Sequence, residues 1–404
     1  MIFDLIIRNA SQIVTMEGEN LGVVEKGSVL LHEGRISKVC TVEESERCDA
    51  EKVIDASDMV VMPGFVDCHT HLVFAGSRAQ EFRRRMAGAS YEEIARDGGG
   101  ILSTVKATGH ATFEELYEGG LNWLREMLAW GTTTVEIKSG YGLSLADELK
   151  QLSVIRSLAE EVPQTLVPTF LGAHAFPPSV PREKYVEEVI DLMLPEVAEK
   201  GLAMFVDVFC DSIAFTNEET RKILEKAAEL GLGIKLHVDE IADTGGARLA
   251  AELGAISAEH LIKSNEEGLR AMAEKGVVPV LLPATTFFLK EKARPNVELM
   301  RELGMPVAVA TDFNPGSSTI FSLAFAAACG ALVDGLTLEE ALKGITINAA
   351  RALGLADEVG SIAPGKYADL LLLEMDTWEE LLYLFNRNSI HTVIKRGEVV
   401  YAHE

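Results

Sequence analysis

Apolar positions along this chain repeat with two different periods. Over residues 1–57 they fall in short alternating stretches, Asp4–Arg8, Gln12–Met16, Ser28–His32, Arg35–Cys40 and Lys52–Asp55, separated by turns such as Glu33-Gly34. That is the period of β-strands. Gly360–Glu374 and Thr392–Tyr401 have the same texture near the C-terminus. In between, short apolar runs alternate with stretches of helical period. The runs predict eight strands: Val60–Asp67, Thr132–Lys138, Thr165–Gly172, Met204–Phe209, Gly233–Val238, Ala255–His260, Val277–Pro283 and Val307–Thr311. The helical stretches include Phe113–Trp130, Asp147–Glu161, Arg182–Lys200, Glu218–Leu230 and Glu266–Lys275. Asn217 and Asn265 stand where N-caps belong, and Gly201, Gly231 and Gly276 where helices close. Eight β/α alternations define a (β/α)8 barrel. The expected architecture is α/β: a (β/α)8 TIM barrel over residues 58–358, with a small discontinuous β-sandwich domain formed by both termini, residues 1–57 and 359–404. The connection after the first barrel strand, from Leu72 to about Thr112, is long. It predicts a lid-like excursion over the barrel mouth, with Gly98-Gly99-Gly100 as its hinge.

Composition narrows the setting. With 404 residues, 48% of them hydrophobic, the chain can bury one large core and a smaller one. Its longest apolar run, Ile320–Val333, is too short to cross a bilayer and predicts a buried helix. Asp4 and Arg8 interrupt the N-terminal apolar residues, unlike a secretory signal. The five cysteines are scattered and odd in number, which predicts a reducing, cytoplasmic location rather than a disulfide framework. A formal net charge of −25 disfavours nucleic acid and anionic membranes as partners. A small anionic substrate remains compatible, because solvent screens charge beyond roughly 8–10 Å; it would need a local cation. Apolar helix faces suggest a homodimer.

In a barrel of this kind chemistry gathers at the C-terminal ends of strands. Five of the nine histidines sit there: His69, His71, His174, His237 and His260. His32, His110, His391 and His403 read as surface or structural. His69 and His71 close the segment PGFVDCHTH two residues apart, so both imidazoles aim at one spot. The last barrel strand ends in Thr311-Asp312, a carboxylate costly to bury without a partner. His69, His71, His237 and Asp312 give three nitrogens and one oxygen, a set suited to Zn²⁺ or Fe²⁺ with one position open to water. The fourth strand ends Phe209-Cys210-Asp211 and offers no lysine to bridge a second ion. One divalent metal per chain is therefore expected, and Lys138 is read as structural.

These residues resemble the amidohydrolase superfamily, metal-dependent hydrolases built on this barrel with a flanking β domain. The resemblance rests first on PGFVDCHTH. It is narrowed by LVFAGSRAQEF (Leu72–Phe82), EIKSGYGL (Glu136–Leu143), HVDEIADTGGARLAAELGA (His237–Ala255) and TDFNPGSS (Thr311–Ser318). Nearly the whole chain is covered. Leu282-Pro283-Ala284 departs from the pattern, which has Gly after the Pro. The resemblance implies a hydrolase of histidine degradation that opens the cyclic amide C–N bond of a small anionic imidazolone, 4-imidazolone-5-propanoate, to give N-formimidoyl-L-glutamate.

Roles follow as expectations. Asp312, beside the activated water, is the proton acceptor and passes the proton to the leaving ring nitrogen. His260 polarises the carbonyl, or else orients a ligand. Glu240 hydrogen-bonds the ring N–H groups or shuttles a proton, unless it is only a helix-start carboxylate. Arg78 is the cation for the propionate, since guanidinium binds carboxylate bidentately. Tyr141 and His174 complete the pocket or serve in packing. Asn314, Gly316 and Ser317 bind the amino-acid-like end, with a turn of no ligand role as the alternative for Gly316 and Ser317. Two rivals remain: a purine or pyrimidine deaminase of the same superfamily, and a non-catalytic barrel scaffold.

Overall fold

The structure is a computed structural model and describes residues 2–18, 20–89, 93 and 98–403. Its strands, in chain order, are β1 Phe3–Val14, β2 Val23–His32, β3 Arg35–Thr41, β4 Ala50–Asp55, β5 Val60–Pro63, β6 Phe65–Asp67, β7 Thr132–Lys138, β8 Thr165–Ala173, β9 Phe205–Cys210, β10 Gly233–Val238, β11 Ser257–His260, β12 Val278–Leu281, β13 Ala308–Val309, β14 Leu370–Leu373, β15 Ile390–Lys395 and β16 Glu398–Ala402. Among the described residues no helix is long and apolar enough to cross a membrane.

The strands form two eight-stranded sheets. One unites the termini in the order β16-β15-β14-β5-β1-β2-β3, with β4 also on β1. The two strands expected over residues 4–16 are one long β1, bent by a bulge between Ile7 and Ala10 where Asn9 has φ 64°. Its first half pairs in parallel with β4 and its second half with β5. The C-terminal strands join through β14, antiparallel to β5. Leu5, Ile7 and Ile13 of β1, Val29 and Leu31 of β2, and Leu370 and Leu372 of β14 share a core of their own.

The other sheet is the barrel, β6 to β13 in sequential order and parallel throughout. Its first and last strands meet at the mouth, where His71 N donates to Phe313 O at 2.9 Å and Asp312 N to His69 O at 3.0 Å. Most strand limits match the apolar runs within a residue or two. The exception is the run Val60–Asp67, which is two strands in two sheets. The break falls at Gly64, where any Cβ would collide with the Thr133 side chain, so only glycine lets the chain pass from one sheet to the other.

Asn265 caps its helix through Gly268 N, as expected. Asn217 does not: Thr216 is the cap, in a capping box with Glu219. The helix expected over residues 182–200 is continuous in path but contains a π turn, Val189–Met193, just ahead of Pro195. A proline lacks the N–H of a regular helix and crowds the preceding turn, and the wider turn relieves both. Within the expected excursion, Ala79–Met86 and Ile101–His110 are helices. Residues 90–92 and 94–97 of that excursion lie outside the described residues.

Candidate metal centre

Beyond β6 the chain stays near-extended as far as a bridge between Thr70 and Phe313. Alternation then does what period two dictates. The Thr70 hydroxyl turns away and donates to Glu136 O at 2.6 Å, while His69 and His71 both face inward, their rings 5.2 Å apart. His237, near the end of β10, brings a third ring 4.5 Å from His69 and 5.5 Å from His71. One nitrogen of each ring lies within 4.8 Å of those of the other two. His237 Nε2 and His71 Nε2 are 3.4 Å apart. Asp312 Oδ1 stands 3.6 Å from His69 Nε2 and 3.5 Å from His71 Nε2. Ligands at about 2.0–2.1 Å from a tetrahedral ion are separated by roughly 3.3–3.4 Å, so these spacings match the edges of such a shell.

Two further observations fit a cation. Both nitrogens of His69 are buried without a hydrogen-bond partner. The floor of the barrel is also short of positive charge: the buried ammonium groups of Lys138 and Lys235 face three buried carboxylates, Glu136, Asp207 and Glu259, and Asp312 adds a fourth beside the histidines. A divalent ion supplies the missing two charges. The His69 imidazole registers the same deficit. Burial and Lys138 push its pKa down, yet Asp312 and Glu259 prevail and hold it at about 9. Burial and neighbouring imidazoles hold His71 and His237 well below the usual histidine value. Burial opposes ionisation of Asp312, but His69, His71 and His260 keep its carboxyl well below the ordinary range.

The surrounding groups orient these four. Thr285 Oγ1 donates to Asp312 Oδ2 at 2.7 Å, leaving Oδ1 toward the histidines. His237 Nδ1 is 2.9 Å from Asp207 Oδ2, and His69 Nδ1 3.5 Å from Glu259 Oε2. Asp67 accepts from Thr311 N and Oγ1 at the seam of the barrel, where burial raises its carboxyl to about 7. Sequence reasoning missed Thr285, Asp67, Glu136, Asp207 and Glu259. A signal was present for two of them: Asp67 precedes His69 and Glu136 precedes Lys138 by two, the parity of the inward face.

The other expected residues surround the same spot. The His260 ring, at the end of β11, is 5.3 Å from His237 and 5.9 Å from His69. Glu240 Oε1 is 3.8 Å from His260 Nδ1, and burial raises its carboxyl. His174 stacks on His71 at 4.9 Å and 17°. Its Nδ1 contacts Gly140 O at 3.1 Å, which fixes the proton there and leaves Nε2 an acceptor; burial lowers its pKa to about 4. The Tyr141 ring lies 5.5 Å from His174 and 5.8 Å from His71. Arg78 is held by Glu81 Oε2 at 2.8 Å, and its guanidinium lies on Gly316, where a Cβ would collide with it. Asn314 bridges the turn and the carboxylate: its Oδ1 accepts from Gly316 N and Ser317 N at 2.8 Å, and its Nδ2 donates to Asp312 O, to Ser317 Oγ and, at 3.1 Å, to Asp312 Oδ1. The backbone is strained around this rim, with positive φ at Asp239 (51°), His260 (72°), Leu261 (58°) and Asp312 (49°), an arrangement that clusters at functional sites.

Fold and site together define a metal-dependent barrel hydrolase, and a model of the amidohydrolase family matches residues 60–400, so the chain belongs to that family. Relatives at 45–47% identity over nearly the whole chain include imidazolonepropionases. That of Geobacillus sp. (strain WCH70) is 47% identical, covering 98% of this chain and 97% of its own. That of Clostridium tetani is 45% identical, with 98% of each chain covered. Among solved structures, an adenosine deaminase from Xanthomonas campestris with bound zinc aligns at a TM-score of 0.78 and 19% identity, covering 99% of this chain and 93% of its own. A 5-methylcytosine deaminase from Klebsiella pneumoniae liganded with 5-fluorocytosine aligns at 0.76 and 19%, covering 99% and 98%. At such identities the structural likeness concerns the fold alone.

Proposed function

We propose that this chain hydrolyses 4-imidazolone-5-propanoate to N-formimidoyl-L-glutamate, a ring-opening step of histidine degradation. The observation that carries this is the convergence of His69, His71, His237 and Asp312, from three separate parts of the barrel, on one buried point. A divalent ion there, Zn²⁺ or Fe²⁺ and one per chain, supplies Lewis acidity and a nucleophile at neutral pH.

The chain's own residues do the rest. Asp312, kept ionised by the surrounding imidazoles, accepts the proton of the attacking water through Oδ1 while Thr285 holds Oδ2. The same carboxyl then returns the proton to the departing ring nitrogen. His260 donates toward the oxygen on which charge develops. Glu240, beside it and tending to keep its proton, meets the ring N–H groups or relays a proton. His174, neutral and fixed by Gly140, offers Nε2 to the ring, and Tyr141 closes that side. Arg78 takes the propionate. Asn314 shapes the turn that places Gly316 under Arg78 and Ser317 Oγ 3.4 Å from Asp312 Oδ2. We place the protein in the cytoplasm, consistent with its five free cysteines. We read it as a homodimer: the exposed Leu332 and Tyr383 are apolar surface that a second copy would cover.

The test is product identification with imidazolone propionate beside cytosine and guanine, with metal analysis of the same preparation. N-formimidoyl-glutamate from the first alone, and one ion per chain, is the expected result. Ammonia release from a nucleobase would favour the deaminase rival, and protein without metal or turnover the scaffold.

A further inference from the structure

Lys138 is a fully buried cation that the mechanism leaves unused. Its Nζ lies 2.8 Å from Asp207 Oδ2, 3.0 Å from Glu136 and 3.6 Å from Glu259 Oε2. Two of those carboxylates also face the metal ligands, Asp207 against His237 Nδ1 and Glu259 against His69 Nδ1. Asp207, His237 and Glu259 each offer an atom, and the three lie within 4.8 Å of one another, the spacing of a second metal group. His237 Nδ1, Asp207 Oδ2, Glu259 Oε2 and Glu136 Oε2 are all buried without a regular hydrogen bond. Three carboxylate oxygens crowded to 2.8, 3.0 and 3.6 Å around one nitrogen point to a cation at their centre, and the cation present is the Lys138 ammonium. Lys235 does not fill that place: it sits on Cys68 O, Glu136 Oε2 and Glu259 Oε1.

We propose that Lys138 is a resident cation occupying a second cation position in the barrel floor. By filling it, Lys138 keeps the chain to one divalent ion and holds Asp207 and Glu259 against the Nδ1 atoms of His237 and His69. Lys138 is thus a positioning residue, two steps from the substrate. An ammonium suits the task because it brings one charge and three donors to three carboxylates without competing for the imidazole nitrogens that face the metal. Burial opposes its charge, but Asp207, Glu136 and Glu259 hold its pKa above the ordinary lysine range. With the ammonium gone, a cage of carboxylate oxygens remains, the ligand type preferred by Mn²⁺ and Mg²⁺.

The inference rests on the mononuclear reading of the site above, and one experiment separates the two. Zinc-loaded wild type and Lys138→Met are dialysed against Mn²⁺, and total metal per chain is counted. Wild type should hold one ion and Lys138→Met about two, and Lys138→Met/Glu259→Gln should return toward one. A Lys138→Met protein that still holds one ion overturns the inference while leaving the mononuclear site intact. Wild type holding none overturns the site itself. Should Lys138→Met fold poorly, Mn²⁺ must raise its melting temperature and leave that of wild type unchanged; a variant that Mn²⁺ does not restore also overturns the inference.

Discussion

Asp312 divides two tasks between its oxygens, and the site depends on that division. Oδ1 faces the imidazoles and accepts from Asn314 Nδ2, and Oδ2 accepts from Thr285. Asp312→Asn keeps the shape but loses the proton acceptor, so kcat should fall by about 10²–10⁴, the usual worth of general base catalysis. Turnover at the wild-type rate would end its assignment. Thr285→Val frees Oδ2, and metal affinity measured by chelator competition should weaken by about 10–100-fold, as for other partners of metal ligands. Arg78 and Gly316 make a coupled pair. Arg78→Ala removes the cation and should raise KM by about 10–100-fold, the worth of a charged hydrogen bond at roughly 1.5–3 kcal/mol, with a smaller change in kcat. Gly316→Ala leaves the cation but intrudes on its resting place. KM should rise less than in Arg78→Ala, and combining the two changes should add nothing further. Arg78, Asp312 and the histidines were legible in the sequence because each is an unusual residue at a strand end or on a long loop. Thr285 was not, because a threonine four residues after a strand carries no mark of what it faces.

At the level of strands and helices, legibility followed burial. Barrel strands bounded by a turn before and a loop after read as short β-branched and apolar stretches, so Thr132–Lys138 and Gly233–Val238 were read to the residue despite the inward Glu136, Lys138, Lys235 and His237. The same logic joined Val60 to Asp67, because hydropathy cannot register a strand that changes sheets at one glycine. Nor does hydropathy show how a helix winds. The π turn Gly330–Asp334 follows the helix Leu323–Cys329 inside one apolar stretch, and it leaves Asp334 buried with Oδ1 unpartnered and Arg294 Nε 3.6 Å away. Burial lifts this carboxyl to about 6, and Arg294 only partly offsets it. The folded pKa thus lies above the unfolded value, so the fold binds this proton more tightly than the unfolded chain does. Its contribution is full below about pH 4 and is lost as pH rises through about 6. Asp334→Asn should therefore leave the free energy of unfolding unchanged at pH 4 and raise it at pH 8, by up to about 3 kcal/mol at 1.36 kcal/mol per pKa unit. A gain of equal size at both pH values would show that ionisation of Asp334 is not the cause.

Across the whole chain, charge is arranged in two regimes that respond to different agents. The surface carries most of the −25 net charge, from 62 acidic against 37 basic residues. Those groups repel one another through water, so added salt relieves them within a Debye length of about 8–10 Å. The barrel floor carries four buried carboxylates against two ammonium groups, out of reach of mobile ions. The sequence showed the first imbalance directly and hid the second, because a charged residue inside an apolar strand reveals its partners only when eight strands bring them to one axis. Removing the divalent ion leaves two negative charges, of which a proton on His69 offsets one, so one stays uncompensated in a medium where it is costly. Chelation should therefore lower the melting temperature by several degrees, and readdition of Zn²⁺ at about a thousand times its dissociation constant should return about 4 kcal/mol. Potassium chloride should stabilise the loaded and the chelated protein by similar amounts, since it acts on the surface alone. If salt closed the gap between them, the deficit would lie at the surface, and the charge balance assigned to the barrel interior would be wrong.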